Sequence, residues 1–204
     1  GQDGWWANDG TGNFAFASII DDFFTLAMVG DVDGDGDVDL VGKTGVLNGN
    51  VITMFFGTVI NDGNGNFTDG VSLGSNAGND VNATQADFDG DGDMDIVVGG
   101  DANLNGYYPN SGSGAYGARQ LITNMNLSPT VQAADMEGDG DQDLLVLGVA
   151  PGNRWFANDG NAVFTVADTI GGSTPTADVD NDGDLDVCVG TGTSCDAKWY
   201  RNDG

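Results

Sequence analysis

The chain has no histidine, a single glutamate (Glu137) and only five basic residues, Lys43, Arg119, Arg154, Lys198 and Arg201. Without histidine, Ser–His nucleophilic catalysis and histidine-ligated zinc are both excluded. So few cations leave no basic surface for nucleic acid or an anionic membrane. Glutamate and lysine are also good helix formers, and their places are taken by aspartate and by 35 glycines, which are poor ones. A mostly helical fold is therefore excluded. No run approaches the roughly 18 apolar residues of a membrane-spanning helix. No N-terminal stretch has the form of a signal peptide, and the chain opens at Gly1 without methionine, as expected of a mature, excised or truncated product. The two cysteines, Cys188 and Cys195, flank the glycine-rich turn of CVGTGTSC. They either staple a hairpin in an oxidising compartment or stay free thiols.

What is present is aspartate, and it is clustered. The net charge of −27 comes from 32 acidic against 5 basic residues, while 39% of the chain is hydrophobic, too much for a disordered acidic tail. Cations are the expected partner. Four nine-residue stretches share the pattern D-x-[DE]-x-D-G-x-x-D: DVDGDGDVD from 31, DFDGDGDMD from 87, DMEGDGDQD from 135 and DVDNDGDLD from 178, at intervals of 56, 48 and 43 residues. Behind each comes a short apolar run (LVG, IVVGG, LLVLG, VCVG), too short for a helix and rich in β-branched residues, which predicts a buried strand.

An aromatic pair follows each run: Phe55-Phe56, Tyr107-Tyr108, Trp155-Phe156 and Trp199-Tyr200. Then comes a turn, NDGNGNF, NSGSGAY, NDGNAVF or the truncated NDG, of the kind that closes a tight hairpin. With an approach strand such as LAMVG before each loop, the unit has four short antiparallel strands, the size and order of a propeller blade. The expected fold is thus all-β, a β-propeller of four-stranded antiparallel blades. The units run approximately over 1–29 (partial), 30–85, 86–133, 134–176 and 177–204 (partial) of one domain, 1–204. Four acidic loops stand against five aromatic-turn segments, so two readings remain: a closed ring of about four blades, or a segment of a larger propeller.

The aspartate loops read as calcium sites. In the first, Asp31, Asp33 and Asp35 alternate so that their carboxylates converge, Gly36 permits a sharp reversal, Asp37 offers its backbone carbonyl and Asp39 returns a last carboxylate. The corresponding residues are Asp87, Asp89, Asp91, Asp93 and Asp95; Asp135, Glu137, Asp139, Asp141 and Asp143; and Asp178, Asp180, Asp182, Asp184 and Asp186. Six or seven hard oxygens on a flexible loop suit Ca²⁺; Mg²⁺ demands a tighter octahedron. The helix–loop–helix calcium motif is excluded, because its twelfth position needs a bidentate Glu and here holds Gly42, Val98, Val146 and Val189. The nonapeptide calcium repeat is excluded by the missing G-G-x-G-x-D spacing. Carboxylates about 4 Å apart repel by roughly 1 kcal/mol in water and about 4 kcal/mol at an effective dielectric of 20, so an empty loop resists closing and a divalent ion reverses the sign. Four ions would add 8 charges, bringing −27 to −19.

Together the loops, the D-L/I-V-V-G strands and the W-x-x-N-D-G-x-G-x-F hairpins resemble FG-GAP/VCBS-type repeats, the calcium-binding blades of integrin-α-like propellers. DLLVLGVAPGN (143–153) is similar to the element that names the family. Departures are Glu137 at a usual aspartate position and Ser111 in place of the hairpin aspartate. The resemblance implies a secreted or cell-surface module that binds calcium (about four ions) and serves adhesion, scaffolding or the binding of glycans or other extracellular proteins. The alternative is a calcium-dependent propeller enzyme, a polysaccharide lyase or hydrolase, for which only paired acids such as Asp21-Asp22 are on offer. Adjacent acids in a loop are more often solvated, and catalysis is not expected. One aromatic of each pair is expected in the core between blades, and Trp5-Trp6 are expected to be exposed. The sequons at Asn66, Asn82 and Asn126 are no more than an Asn-rich chain gives by chance.

Overall fold

The computed structural model describes residues 3–21, 24–48, 51–75, 81–100, 103–125, 130–147, 153–170, 176–181, 185–190 and 197–202. They contain sixteen strands and no helix. A two-stranded hairpin, β1 (Asp3–Asn8) and β2 (Phe14–Asp21), is followed by a four-stranded antiparallel sheet of β3 (Thr25–Gly30), β4 (Asp39–Asn48), β5 (Val51–Asn61) and β6 (Phe67–Ser75). The next sheet holds β7 (Asn82–Ala86), β8 (Asp95–Gly99) and β9 (Gly106–Tyr108), with the bridges Tyr107–Gln120 and Asn110–Tyr116 tracing an irregular outer strand. A second four-stranded sheet has β10 (Thr130–Ala134), β11 (Asp143–Leu147), β12 (Asn153–Ala157) and β13 (Thr165–Ile170). The last has β14 (Thr176–Ala177), β15 (Asp186–Gly190) and β16 (Ala197–Tyr200).

Every sheet keeps its strands in chain order, so each is an up-and-down meander, and the sheets are the blades of a β-propeller. The innermost strands of consecutive blades adjoin, β3 beside β7 and β7 beside β10. Asn82 Oδ1 accepts the Val131 N–H and Thr84 Oγ1 accepts the Ala133 N–H, which fastens β10 to β7. Among the described residues the blades form an open succession rather than a closed ring.

Between blades lies the core, because an alternating strand sends successive side chains to opposite neighbours. On β8, Ile96 and Val98 face back to Val41 and Phe56, whereas Val97 faces forward to Leu144, Val146 and Phe156. Leu145 and Leu147 then face Val187. A strand buried on both faces reads as an unbroken apolar run, which is why IVV and LLVL carry no alternation. Of the aromatic pairs, Phe56 and Phe156 are fully buried and Phe55 and Trp155 only partly, while Tyr107 and Tyr108 are both buried. Trp6 is 60% exposed, and Trp5 is half-buried with Nε1 donating to Ser18 Oγ and to the Gly65 carbonyl. Cys188 lies half-buried on β15; Cys195 lies outside the described residues.

The second residue of the first three acidic loops is an anchor in this core, Val32, Phe88 and Met136 all being buried, whereas its counterpart in the fourth, Val179, is exposed. Phe88 packs edge-on against Tyr107 and Phe164, with ring centroids 6.3 and 5.4 Å away. Phe88→Ala is expected to cost about 3–5 kcal/mol, the usual range for an aromatic removed from a core. Met94→Gln, at an exposed position of the same loop, should stay within about 0.5 kcal/mol. Chemical denaturation of both variants in chelator checks the pair.

Candidate metal centres

The first three loops are wound by their own carboxylates. The first aspartate bends back over the turn: Asp31 Oδ1 accepts the Gly34 N–H at 2.8 Å and Oδ2 the Gly36 N–H at 3.0 Å. Asp87 accepts from Gly90 and Gly92, and Asp135 from Gly138 and Gly140, at the same two distances. The geometry requires positive φ at the fourth residue, which is 77° at Gly34, 74° at Gly90 and 71° at Gly138. In the fourth loop that position is Asn181, at φ 59°, and asparagine is the side chain that best tolerates this region. The fifth residue turns onto its own loop: Asp35, Asp91 and Asp139 each accept the N–H of the seventh residue through Oδ1 at 2.9–3.0 Å.

The ninth residue is different in kind. Asp39, Asp95, Asp143 and Asp186 are each 0% exposed. One oxygen accepts the N–H of the loop's second residue: Val32, Phe88, Met136 or Val179, at 2.9–3.0 Å. The other accepts the N–H of the hairpin asparagine of the same unit: Asn61, Asn110, Asn158 or Asn202, at 2.7–2.8 Å. This carboxylate clamps both ends of the loop to the turn between the third and fourth strands. The turn also closes over the seventh residue, where a Cβ at Gly160 would lie 2.6 Å from Asp141 Oδ2.

In three of the four loops the first, third and ninth carboxylates come together, and in the third loop, with Glu137, they do not. In the sets Asp31, Asp33, Asp39; Asp87, Asp89, Asp95; and Asp178, Asp180, Asp186, one oxygen from each residue lies within 4.8 Å of the others. The fifth and seventh aspartates are outside these sets, and Asp182 and Asp184 lie outside the described residues. Two buried carboxylate oxygens find no hydrogen-bond donor, Asp89 Oδ1 and Glu137 Oε2, both on the third residue of a loop. A buried acceptor left bare is costly, and a cation held by the set would satisfy it. Oxygen-only donors fit a hard divalent ion of the calcium type.

The four loops are not equivalent. In the second, Tyr107 donates its hydroxyl to Asp89 Oδ2 at 3.0 Å and to Asp95 Oδ2 at 3.1 Å, which pushes the phenol pKa far up; burial is the larger cause. In the third, burial followed by the charge of neighbouring Asp143 pushes the Glu137 carboxyl up to about 7. Trp155 Nε1 donates to Asp143 Oδ2, at 3.3 Å. In the fourth, Arg201 Nε lies 3.0 Å from Asp180 Oδ2, so a guanidinium already stands at the loop's third residue.

Loops, clamps and hairpins in this order have relatives. A family model described as FG-GAP-like repeat matches residues 87–146 and 135–189, together about half the chain. The chain belongs to the FG-GAP-like repeat family. No curated protein matches it at a significant level. Four chains of solved structures do. One is a lectin of Agrocybe aegerita, described for specific recognition of non-reducing terminal N-acetylglucosamine; it is 18% identical, with a TM-score of 0.49 over 97% of this chain and 74% of that one.

In the sequence the hairpin asparagines read only as turn formers and the ninth aspartate only as a ligand. Their clamp was signalled solely by the constant order of loop and N-D-G turn. Without an ion, burial pushes the Asp95 carboxyl up to about 6 and that of Glu137 up to about 7. An acid whose folded pKa is raised takes up its proton more readily folded than unfolded, so stability falls as pH rises through that window. The chelated protein should therefore melt at a higher temperature at pH 5.5 than at pH 8, with Glu137→Gln flattening the difference. Calorimetric scans in chelator at the two values check it.

Proposed function

We propose that the protein is an extracellular calcium-binding β-propeller module in which the ions rigidify the blades and an exposed surface binds glycans or other proteins. The observation that carries this reading is the carboxylate set within 4.8 Å, formed by the same three positions in three of the loops. The bare oxygens of Asp89 and Glu137 and the charge of −27 support it. An apo chain of this charge repels itself at each loop; ions remove that repulsion where it is densest. With no bidentate glutamate closing the site, affinities of about 10⁻⁴–10⁻³ M are expected, the range of extracellular calcium modules, which supports the extracellular part of the reading.

Surface for a partner exists between the third and fourth sheets. Met136, Trp155, Asp168, Thr169, Val187, Arg201 and Asn202 line a cavity of ≈ 200 Å³. An indole beside a carboxylate, a guanidinium and an amide suits a sugar, which offers a C–H face for stacking and hydroxyls for hydrogen bonds. No catalytic role belongs to the proposal.

Calorimetric titration of the intact chain should show about four calcium ions. At calcium 100-fold above Kd, each site adds about 2.7 kcal/mol to stability. Asp89→Asn should remove one site, and Arg201→Gln should tighten another by freeing Asp180. Calcium should also invert the pH trend, since protons then compete with the ion: the loaded protein should melt higher at pH 8 than at pH 5.5. A chain that titrates no calcium and melts identically in chelator overturns the reading. For the partner, a polysaccharide panel scored for binding and then for cleavage products separates the alternatives; turnover would make the protein an enzyme, and loss of binding in Trp155→Ala would locate the sugar.

A further inference from the structure

In the second, third and fourth units one amide belongs to two loops at once. Asn110 Nδ2 donates to the Met94 carbonyl in its own loop at 3.1 Å and to the Val32 carbonyl in the preceding loop at 3.3 Å. Asn158 Nδ2 donates to Gln142 at 3.0 Å and to Phe88 at 2.8 Å. Asn202 Nδ2 donates to Leu185 at 3.4 Å and to Met136. Asn110 and Asn158 are 4% and 5% exposed, so these bonds are made away from bulk water. Each asparagine is itself fixed through its backbone N–H by the ninth aspartate of its own loop.

The recipient is always the second residue of the preceding loop. It sits between the two carboxylates that lead the set, Asp31 and Asp33 in the first loop, Asp87 and Asp89 in the second. Its N–H is held by its own ninth aspartate, and its side chain is buried against the following blade. Further donors reinforce the joint: the Tyr116 hydroxyl reaches the Val32 carbonyl at 3.2 Å, and the Ala162 N–H reaches that of Phe88 at 2.9 Å. Moving the second residue moves the first and third, so the spacing of one loop's carboxylates is set by the blade after it.

We propose that Asn110, Asn158 and Asn202 are positioning residues that couple neighbouring calcium loops, so that an ion in one loop raises the affinity of the loop before it. This rests on the calcium reading above. An ion drawing in Asp186 fixes Asn202, which holds Met136 and with it the backbone that carries Asp135 and Glu137. Coupling between binding sites is reciprocal, and a typical value is about 5–150-fold in affinity. Asn61 is the internal contrast: its amide donates to Val38 in its own loop at 3.1 Å and, among the described residues, to no preceding one.

Trp155, whose indole donates to Asp143, is a built-in reporter of the third loop. With Trp5, Trp6 and Trp199 changed to Phe, calcium is titrated against its fluorescence, and in parallel by calorimetry. Asn202→Asp, which turns the donor into an acceptor while keeping the shape, should raise the midpoint about 5- to 10-fold. Disabling the fourth loop with Asp178→Asn and Asp180→Asn, Asn202 intact, should raise it similarly. The two changes combined should do no more than either alone. Midpoints unmoved by both, in a protein that still takes up calcium by calorimetry, overturn the coupling and leave the calcium reading standing. No uptake in the parent sinks the calcium reading itself.

Discussion

A buried carboxylate that accepts two backbone N–H groups from segments far apart in sequence is the interaction on which the rest depends. Asp95 holds Phe88, seven residues earlier, and Asn110, fifteen later. Asp39, Asp143 and Asp186 repeat the arrangement in their own units. A charge placed in the interior is tolerated when hydrogen bonds to the ionised form replace its water. Here those bonds tie an acidic loop to a hairpin, and the loop's second residue to the core between blades. Local turn, sheet edge and inter-blade packing thus share one atom group.

The arrangement explains how a chain of so few cations folds at all. Basic residues are too few to do much of the neutralising: Arg119 and Arg154 donate to the carbonyls of Asn105 and Asn124, and Arg201 meets a loop carboxylate at Asp180. Backbone N–H groups take their place at the first, fifth and ninth positions of the loops. Those bonds set loop shape without supplying net positive charge, so the sets of three carboxylates remain electrostatically unfinished. Our proposal that divalent ions complete them follows from that deficit. The same loop therefore serves as a structural joint through its ninth residue and as a candidate ion site through its first and third.

Much of the fold was legible because the unit recurs in a fixed order. Acidic loop, apolar run, aromatic pair and N-D-G turn mapped onto loop, second strand, third strand and hairpin, as at Asp135–Asp143, β11, β12 and Asn158. The irregular outer strand of the second blade was less legible. There the hairpin reads NSGSGAY, and the chain returns through isolated bridges at Tyr116 and Gln120. Of the site, the five acidic positions per loop were visible as one class. Their division into turn-forming, ion-facing and clamping members was not, because identical aspartates differ only in what surrounds them.

The sequence by itself determined the β class, the repeating blade and the places where carboxylate accumulates. Those properties follow from composition and from short-range spacing, which local backbone geometry translates directly into turns and strands. Only the tertiary structure decided which aspartate is buried, that Glu137 leans on Asp143, that Arg201 reaches Asp180, and that Asn158 joins a loop seventy residues before it. Each of these depends on one blade lying against another, and the sequence spacing between units carries no distance in space until inter-blade packing fixes it.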